Sequence, residues 1–259
     1  MNFTEKVVLV TGGSSGIGAA IAIKFAANGA KVAIVGRNEA KLKNVSEECE
    51  RVGNKPLVII ADVSKDEDAK RIVSTTIAHF KKLDVLVNNA GIGGTTSILS
   101  SEAMKEFDQV MATNFRSVVY ITHLAAPHLI ETKGNIINIS SIAALRAISK
   151  ECFAYCSSKA SLNHFGRCIA LELAPKGVRV NSINPGPVKT DIIQNMGAPP
   201  SVEQDFWDRM KKSTVLDRIS DPEEIADLAL FLGSDQARSI TGSDFTADNG
   251  ICLAGIVDN

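Results

Sequence analysis

Tyr155 and Lys159 are the residues whose types and spacing most directly suggest chemistry. They stand four positions apart, so on a helix they share one face. A free tyrosine has a pKa near 10, and a nearby ammonium favours the phenolate and lowers that pKa. Such a phenol can give a proton to a carbonyl oxygen or take one from an alcohol. Because chance produces this spacing in roughly one chain of this composition in seven, the pair needs support from other motifs.

A glycine-rich turn near the amino terminus suggests phosphate binding. Residues 11–18 read TGGSSGIG, between an apolar β-branched run and an amphipathic stretch. Glycines let the backbone turn tightly and approach a pyrophosphate, and a helix that begins there offers free N–H groups and a favourable dipole. This strand–turn–helix context distinguishes the segment from an ordinary glycine turn. The predicted phosphate-binding residues are Thr11, Gly12, Ser14, Ser15, Gly16, Ile17 and Gly18.

The end of the second apolar run bears on the choice of cofactor. Many NAD-binding proteins place a carboxylate there for the ribose 2′-OH, but Gly36 supplies none. Arg37, followed by Asn38, offers a cation that could pair with a 2′-phosphate. Glu39 is close enough to weaken this argument, and the turn at Ser14 lacks a second basic residue. We therefore favour NADP(H) and keep NAD(H) as the alternative.

Two other polar positions stand where elements end. Ser140 and Ser141 close the fifth apolar run, and ligands of parallel sheets lie beyond the carboxyl ends of the strands. A serine there can hydrogen-bond a substrate oxygen, and the position alone leaves both serines open. Asn114 lies at a predicted helix junction, where its plainest role is a helix-end hydrogen bond.

The elements that must position these residues follow a regular alternation. The apolar runs are residues 6–11, 31–35, 56–61, 84–87, 135–140, 178–183 and 243–246. The amphipathic stretches are residues 17–28, 39–52, 66–82, 101–113, 115–131, 153–174 and 222–232. Most runs are continuous Val, Ile and Leu, which is typical of strands buried on both faces of a parallel sheet. We predict an α/β fold with one domain over residues 1–259, a doubly wound parallel sheet (Rossmann fold) with helices on both faces.

Composition and charge argue against several other classes of function. The net charge of −1 and pI of about 6.4 provide no bulk positive field for nucleic acid or an anionic membrane. No apolar run approaches the roughly 20 residues that span a bilayer, and the first residues lack secretory features. Five cysteines with no disulfide spacing favour a reducing compartment, so we expect a cytoplasmic protein. Cys152, Cys156, His164 and Cys168 lack zinc-site spacing, so we expect no metal.

Taken in order, these motifs resemble the short-chain dehydrogenase/reductase family from Lys6 to about Cys252. The resemblance implies a catalytic tetrad whose serine is Ser141 rather than Ser140. Its members are Asn114, Ser141, Tyr155 and Lys159. It further implies that Asn114 holds a water in a proton relay and that Lys159 binds the nicotinamide ribose. The further cofactor contacts that it implies are Asp62, Val63, Asn89, Ala90, Gly91, Pro185, Gly186, Val188 and Thr190.

The segment of residues 191–216 is either an amphipathic helix pair packed on the body or, as the resemblance implies, a lid over the substrate. Its apolar side chains are Ile192, Ile193, Met196, Phe206, Trp207 and Met210. With Leu145 and Phe153 near the tyrosine, they suggest an apolar or mixed substrate, such as a steroid-like, isoprenoid or fatty-acyl compound. We therefore expect hydride transfer between NADP(H) and a carbonyl or secondary alcohol of such a small molecule.

Several alternatives remain at this point. The pattern also resembles 3-oxoacyl-acyl-carrier-protein reductases, but Lys133 is nearly alone as a basic docking residue, so thioesters rank second. A different class is a nucleotide-binding regulator or scaffold without catalysis, and an epimerase or dehydratase with tightly held cofactor is a third possibility. The resemblance implies a homotetramer or dimer formed through residues 115–131 and 153–174.

Overall fold

The seven apolar runs form one parallel sheet in the computed structural model, which describes residues 1–190 and 200–254, without the side chains of residues 200–203. The strands are β1 (Val7–Thr11), β2 (Lys31–Gly36), β3 (Leu57–Ile60), β4 (Val85–Asn88), β5 (Asn135–Ile139), β6 (Arg179–Pro185) and β7 (Asp244–Ala247). Their order is β3-β2-β1-β4-β5-β6-β7, and every neighbouring pair is parallel. The direction of winding reverses between β1 and β4, which confirms the predicted doubly wound sheet.

Helices connect the strands and cover both faces of the sheet. Those in the described part of the chain are α1 (Gly16–Ala27), α2 (Glu39–Val52), α3 (Asp66–Phe80), α4 (Ala103–Met111), α5 (Ser117–Thr132), α6 (Phe153–Leu173), α7 (Pro200–Lys212) and α8 (Pro222–Gly233). Helix α7 falls in the segment predicted as a lid. None of the helices in the described residues has the length and apolar character needed to cross a bilayer.

Strand β1 shows why these runs are apolar without alternation. Val8 and Val10 belong to the core packed against α1, α2 and α8. Val7 and Leu9 belong to the core on the other face, against α3, α5 and α6. All four side chains are fully buried, because a sheet covered on both faces leaves neither side of a central strand in water.

The junction at Asn114 differs from the predicted break between two helices. A single turn of π-helix, Ala112–Arg116, joins α4 to α5 without interruption, and the N–H of Ser117 donates to the carbonyl of Ala112. Asn114 does not end the helix because its side chain bonds to a separate segment, the loop after β4. Single π turns are frequent at functional sites.

Candidate active site

A cleft of about 840 Å³ lies at the carboxyl ends of the strands, where the sheet order reverses. Arg37 lies at one part of its lining, and Tyr155 and Lys159 lie at another. The predicted cofactor residues that line it are Gly12, Ser14, Ser15, Gly16, Ile17, Arg37, Asn38, Asp62, Val63, Asn89, Ala90, Gly91, Tyr155, Lys159 and Thr190. The structure therefore brings most of the predicted site to one surface.

The remaining predicted residues lie outside this lining. They are Thr11, Gly18, Asn114, Ser141, Pro185, Gly186 and Val188. Several of them hold lining residues in place. Gly186, for example, lies so close to the residue that follows β7 that an added Cβ would stand 2.7 Å from Asp248 Cα. Val188 pairs with Ser220 in an isolated bridge that fixes the chain just before Thr190.

Thr11 and Asn89 fasten the ends of the two central strands together. The Thr11 hydroxyl accepts hydrogen bonds from the N–H groups of Asn89 and Ala90, at 3.0 and 3.2 Å. The Asn89 amide in turn donates to the carbonyls of Thr11 and Gly12, at 3.0 and 3.1 Å. These bonds hold the glycine turn against the segment after β4, so that the floor of the cleft is rigid.

The glycine turn is shaped for close approach of a phosphate. Gly12 and Gly16 have φ values of +66° and +53°, a region that favours glycine. A Cβ at Gly18 would stand 2.2 Å from the Gly12 carbonyl oxygen, so helix α1 lies directly against the turn. Ser15 caps α1 without a side-chain hydrogen bond to the helix, and it lines the cleft with Gly16. The helix amino terminus thus opens into the cleft, and this arrangement fits a dinucleotide pyrophosphate.

The Arg37 end of the cleft carries a second cation that sequence reasoning missed. Lys41 lines the same cavity from the first turn of α2, and its N–H donates to the capping Asn38 side chain at 3.0 Å. A Cβ at Gly36 would lie 3.0 Å from Ser14 Cβ, so a carboxylate side chain in place of Gly36 would crowd the turn. The sequence did contain a signal for this second cation, because Lys41 stands four residues after Arg37 at a predicted helix start.

Asp62 and the residues after it form the wall beside this end. The Asp62 carboxylate accepts hydrogen bonds from the N–H and hydroxyl of Ser64, at 3.1 and 2.8 Å. The N–H of Asp62 donates to Asp68 in the first turn of α3, at 2.8 Å. Both Asp62 and Val63 line the cleft, as the family pattern implies for an adenine contact.

Tyr155 and Lys159 lie on one face of α6, at the end of the cleft opposite the cations. The Lys159 Nζ stands 5.8 Å from the centre of the Tyr155 ring and donates to the carbonyl of Ile139 at 3.0 Å. Gly91 lies beside it, because a Cβ there would be 3.5 Å from Nζ. The ammonium is therefore fixed between the end of β5, the loop after β4 and the phenol.

The electrostatics of this pair differ from the sequence-based expectation. Burial raises the pKa of Tyr155, and the hydrogen bond with Ser141 lowers it only in part. Burial also lowers the pKa of Lys159 from 10.5 to about 8. The expected lowering of the tyrosine pKa by the ammonium is wrong for this geometry, because loss of water around the phenol is the largest effect on its pKa and disfavours the charged form.

We expect the stability of the protein, relative to a Lys159→Met variant, to rise with pH above about 8. Between the folded pKa of about 8 and the unfolded value of 10.5, the unfolded chain holds a proton that the folded chain has released. Unfolding therefore becomes less favourable as pH rises, whereas below about 8 the full cost of the buried ammonium is present. Urea unfolding at pH of about 8 and about 9.5 should show a relative gain of about 1–2 kcal/mol. A difference independent of pH would contradict this.

The two adjacent serines have different partners. The Ser141 hydroxyl is hydrogen-bonded to Tyr155 and accepts from the N–H of Ala143 at 3.1 Å. The Ser140 hydroxyl donates instead to the backbone carbonyl of Lys159 at 3.2 Å. Ser140 thus fastens α6 to the end of β5, whereas Ser141 stands with the phenol.

Asn114 acts as a clamp between two parts of the site. Its Oδ1 accepts from the N–H of Ile92 at 2.8 Å, and its Nδ2 donates to the Ile92 carbonyl at 2.9 Å. The same Nδ2 donates to the Ser158 hydroxyl at 3.1 Å, next to Lys159. Both amide hydrogens are therefore used, so this side chain has none left to give to a water. Its observed contacts fasten the loop after β4 to α6.

Sequence reasoning also missed one side of the cleft near Tyr155. The missed residues come mainly from the loop after Gly91 and from the helices that face it, and they are Ile92, Gly93, Gly94, Thr95, Glu106 and Thr113. The pair Gly93-Gly94 was the one available signal, because glycine often marks close approach of the backbone to a ligand. No pattern in the sequence indicates that Glu106 faces this loop.

The predicted lid is described only in part. Ile192, Ile193 and Met196 lie outside the described residues. In α7, Phe206 and Trp207 form an edge-to-face pair with ring centres 5.1 Å apart, and Trp207 is buried. Among the described residues, no group of three or more His, Cys, Asp or Glu side chains is arranged to hold a metal ion.

Known proteins resemble this chain over nearly its whole length. A family model described as Enoyl-(Acyl carrier protein) reductase matches residues 12–252. L-xylulose reductase of Caenorhabditis elegans is 36% identical over 251 residues, which cover 96% of each chain. A short-chain dehydrogenase/reductase of unknown function from Caenorhabditis elegans, solved with cofactor, has a TM-score of 0.91 and 33% identity over 97% of each chain.

A second solved structure is similar in both fold and sequence. A 7α-hydroxysteroid dehydrogenase, in complex with NADH and 7-oxo glycochenodeoxycholic acid, has a TM-score of 0.88 and 32% identity. The match covers 96% of this chain and 95% of that one. The chain belongs to the short-chain dehydrogenase/reductase family, whose members are oxidoreductases that use NAD(P)(H).

Proposed function

We propose that this enzyme transfers a hydride between NADP(H) and the carbonyl or secondary alcohol of an apolar small molecule. The observation that carries the proposal is that Tyr155 and Lys159 line one end of a cleft and that Tyr155 is hydrogen-bonded to Ser141. The same cleft includes the glycine turn and the amino terminus of α1, which suit the phosphates of a dinucleotide. A nicotinamide cofactor, when bound, supplies or accepts the hydride.

Tyr155, Ser141 and Lys159 supply the proton transfer that accompanies the hydride transfer. The Tyr155 hydroxyl donates a proton to the carbonyl oxygen during reduction and takes one from the alcohol during oxidation. Its high pKa keeps the phenol protonated, and therefore able to donate, across the neutral range. Ser141 orients the phenol and offers a hydrogen bond to the substrate oxygen. The Lys159 ammonium stabilises the phenolate left after proton donation, and in this proposal it also holds the nicotinamide ribose.

The preference for NADP(H) rests on charge at the far end of the cleft. Arg37 and Lys41 both line it, and Gly36 stands where a ribose-binding carboxylate would favour NAD(H). A 2′-phosphate brings about two negative charges to such a position, and paired cations bind it far better than they bind a neutral hydroxyl. NAD(H) remains the alternative cofactor.

We expect Arg37→Ala to weaken NADPH binding about 10–100-fold and NADH binding by less than about threefold. The reason is that, in the proposed binding mode, the guanidinium pairs with the 2′-phosphate, which is the group by which the two cofactors differ. Tryptophan-to-cofactor energy transfer or calorimetry measures both dissociation constants. Arg51→Ala is the matched control, because that arginine is exposed at the end of α2 and pairs with Glu48. Equal losses for both cofactors would remove the basis for this assignment.

The substrate class is proposed from two aromatic pairs, one at the start of α6 and one in the proposed lid. Phe107 and Phe153 stack with ring centres 6.3 Å apart at the start of α6, and the pair Phe206–Trp207 lies in the proposed lid. These rings favour an apolar or mixed substrate of the steroid-like, isoprenoid or fatty-acyl kind. A 3-oxoacyl thioester on a carrier protein ranks second. Lys133 lies two residues before β5, at the end of that strand opposite the cleft, where it cannot help a carrier to dock.

A panel of carbonyl compounds tests the activity itself. Oxidation of NADPH on addition of neutral aliphatic ketones, a steroid ketone and a 3-oxoacyl thioester is followed by cofactor absorbance. Turnover of at least one apolar ketone is the expected result. If no carbonyl is reduced and no alcohol is oxidised while NADPH still binds, the chain is a nucleotide-binding regulator or scaffold. Conversion of a substrate without net change in absorbance would indicate an epimerase or dehydratase.

We also propose a cytoplasmic location and assembly as a homotetramer or dimer. All five cysteines are free thiols, which suits a reducing compartment. Leu171 on α6 is 81% exposed, and burial against a second copy would remove that apolar surface from water. Light scattering at micromolar concentration tests the assembly, and a monomer would rule it out.

A further inference from the structure

Glu106 places a carboxylate in the wall of the cleft, where no role has been assigned to it. It belongs to α4, is half-buried and faces the loop that follows Gly91. Its Oε1 accepts a hydrogen bond from the N–H of Thr96 at 3.0 Å, and its Oε2 accepts one from the Thr96 hydroxyl at 2.6 Å. A Cβ on Gly94 would stand 2.8 Å from Oε1, so the loop backbone approaches the carboxylate directly. The side chain is thus held in one orientation.

The carboxylate lies towards the start of α6, the helix that carries Tyr155. The next residue of α4, Phe107, stacks on Phe153, two positions before the tyrosine. The pKa of Cys152 gives independent support, because burial raises it and the negative charge of Glu106 adds to the rise. The substrate, and not the adenosine half of the cofactor, therefore meets this charge.

No cation in the described part of the chain neutralises Glu106. The neighbouring Lys105 pairs with Glu102 on the exposed side of α4 at 2.9 Å, and no ion pair among the described residues includes Glu106. An ionised carboxylate has about four acceptor sites, and Thr96 occupies two of them. The remaining sites can accept hydrogen bonds from a molecule in the cleft, and the charge repels an anion there.

We propose that Glu106 selects neutral substrates that carry a hydroxyl group at a distance from the reacting carbonyl, and that it rejects substrates with a carboxylate in that position. This inference rests on the proposed function, since it concerns the substrate of the same cleft. A carboxylate held by two hydrogen bonds reorients little when a substrate enters. It therefore discriminates both by accepting a donor and by repelling a like charge.

The test compares matched substrate pairs in wild type and Glu106→Gln. A suitable pair is laevulinate and the hydroxyketone of equal chain length, with the same comparison made by competitive inhibition where a compound is not turned over. Glutamine keeps the size of the side chain and can still hold Thr96. We expect kcat/KM for the keto acid, relative to the hydroxyketone, to rise about tenfold, mainly through KM. The inhibition constants should change in the same ratio.

Two further variants separate charge from position. Glu102→Gln removes an exposed charge one turn earlier, at the amino-terminal cap of the same helix, and should leave the ratio unchanged. Thr96→Val removes the hydroxyl that holds the carboxylate but keeps its charge, so both substrates should slow while discrimination against the acid persists. An unchanged ratio in Glu106→Gln, with or without a common loss of rate, would overturn the proposal. Absence of turnover with every carbonyl in wild type would instead count against the proposed function.

Discussion

Replacing Tyr155 with phenylalanine should reduce kcat about 10³-fold or more while NADPH binding changes by less than about threefold. The hydroxyl is the group hydrogen-bonded to Ser141, and its loss removes the proton donor for the carbonyl oxygen. The ring remains, so the packing of α6 near Lys159 and the shape of the cleft are preserved. Single-turnover oxidation of NADPH measures the rate, and calorimetry measures binding.

Tyr120→Phe is the matched control for this experiment. The two tyrosines are the only ones in the chain, and Tyr120 stacks with His123 on α5, outside the lining of the cleft. The control should keep its kcat within about twofold of wild type, because surface changes of this kind perturb little. Wild-type turnover in Tyr155→Phe would show that another group donates the proton and would remove the proposed mechanism.

The fold could be predicted largely because its strands are buried on both faces. Runs such as Val7–Thr11 are uniformly apolar only when both sides of a strand contact packed helices, so burial is already visible in the residue types. The pair Tyr155 and Lys159 was likewise accessible, since a spacing of four has one meaning on a helix. In local patterns of this kind, residue type and spacing within one element already determine which side chains share a face.

Contacts between distant segments could not be predicted in the same way. Nothing near Glu106 in the sequence indicates Thr96 or Gly94, because the three meet only after α4 packs beside the loop that follows β4. The choice between Ser140 and Ser141 also depends on which hydroxyl reaches the Tyr155 phenol and which bonds instead to the backbone of α6. Side-chain direction at a strand end is set by the tertiary structure, and residue type does not reveal it.

The shift of the tyrosine pKa was predicted in the wrong direction for the same reason. A sequence shows that Lys159 is near Tyr155 but not how much water either group loses on folding. Burial is the first cause of the shift in both groups, and it acts against the charged form of each. The proximity of a cation therefore predicts stabilisation of the phenolate once formed, and not a low resting pKa.

Gly18→Ala should lower the affinity for NADPH about 100-fold and destabilise the fold by about 1–3 kcal/mol. The added methyl would lie 2.2 Å from the Gly12 carbonyl oxygen and 2.3 Å from Asn89 Nδ2. Neither contact can be relieved by a flexible side chain alone, because Asn89 is tied to Thr11 and Gly12 and the oxygen belongs to the backbone. Helix α1 must move away from the turn, and its N–H groups then no longer meet a phosphate.

Gly242→Ala separates this local effect from general destabilisation. Gly242 has a φ of +71°, so alanine there is strained by about 1 kcal/mol, but its Cβ would have no neighbour closer than 3.6 Å. The residue lies before β7 and outside the lining of the cleft, so NADPH affinity should remain that of wild type. Dissociation constants and urea unfolding of both variants give the comparison. Normal NADPH binding by Gly18→Ala would show that the cofactor does not need α1 to lie against the turn. That result would contradict the predicted pyrophosphate site.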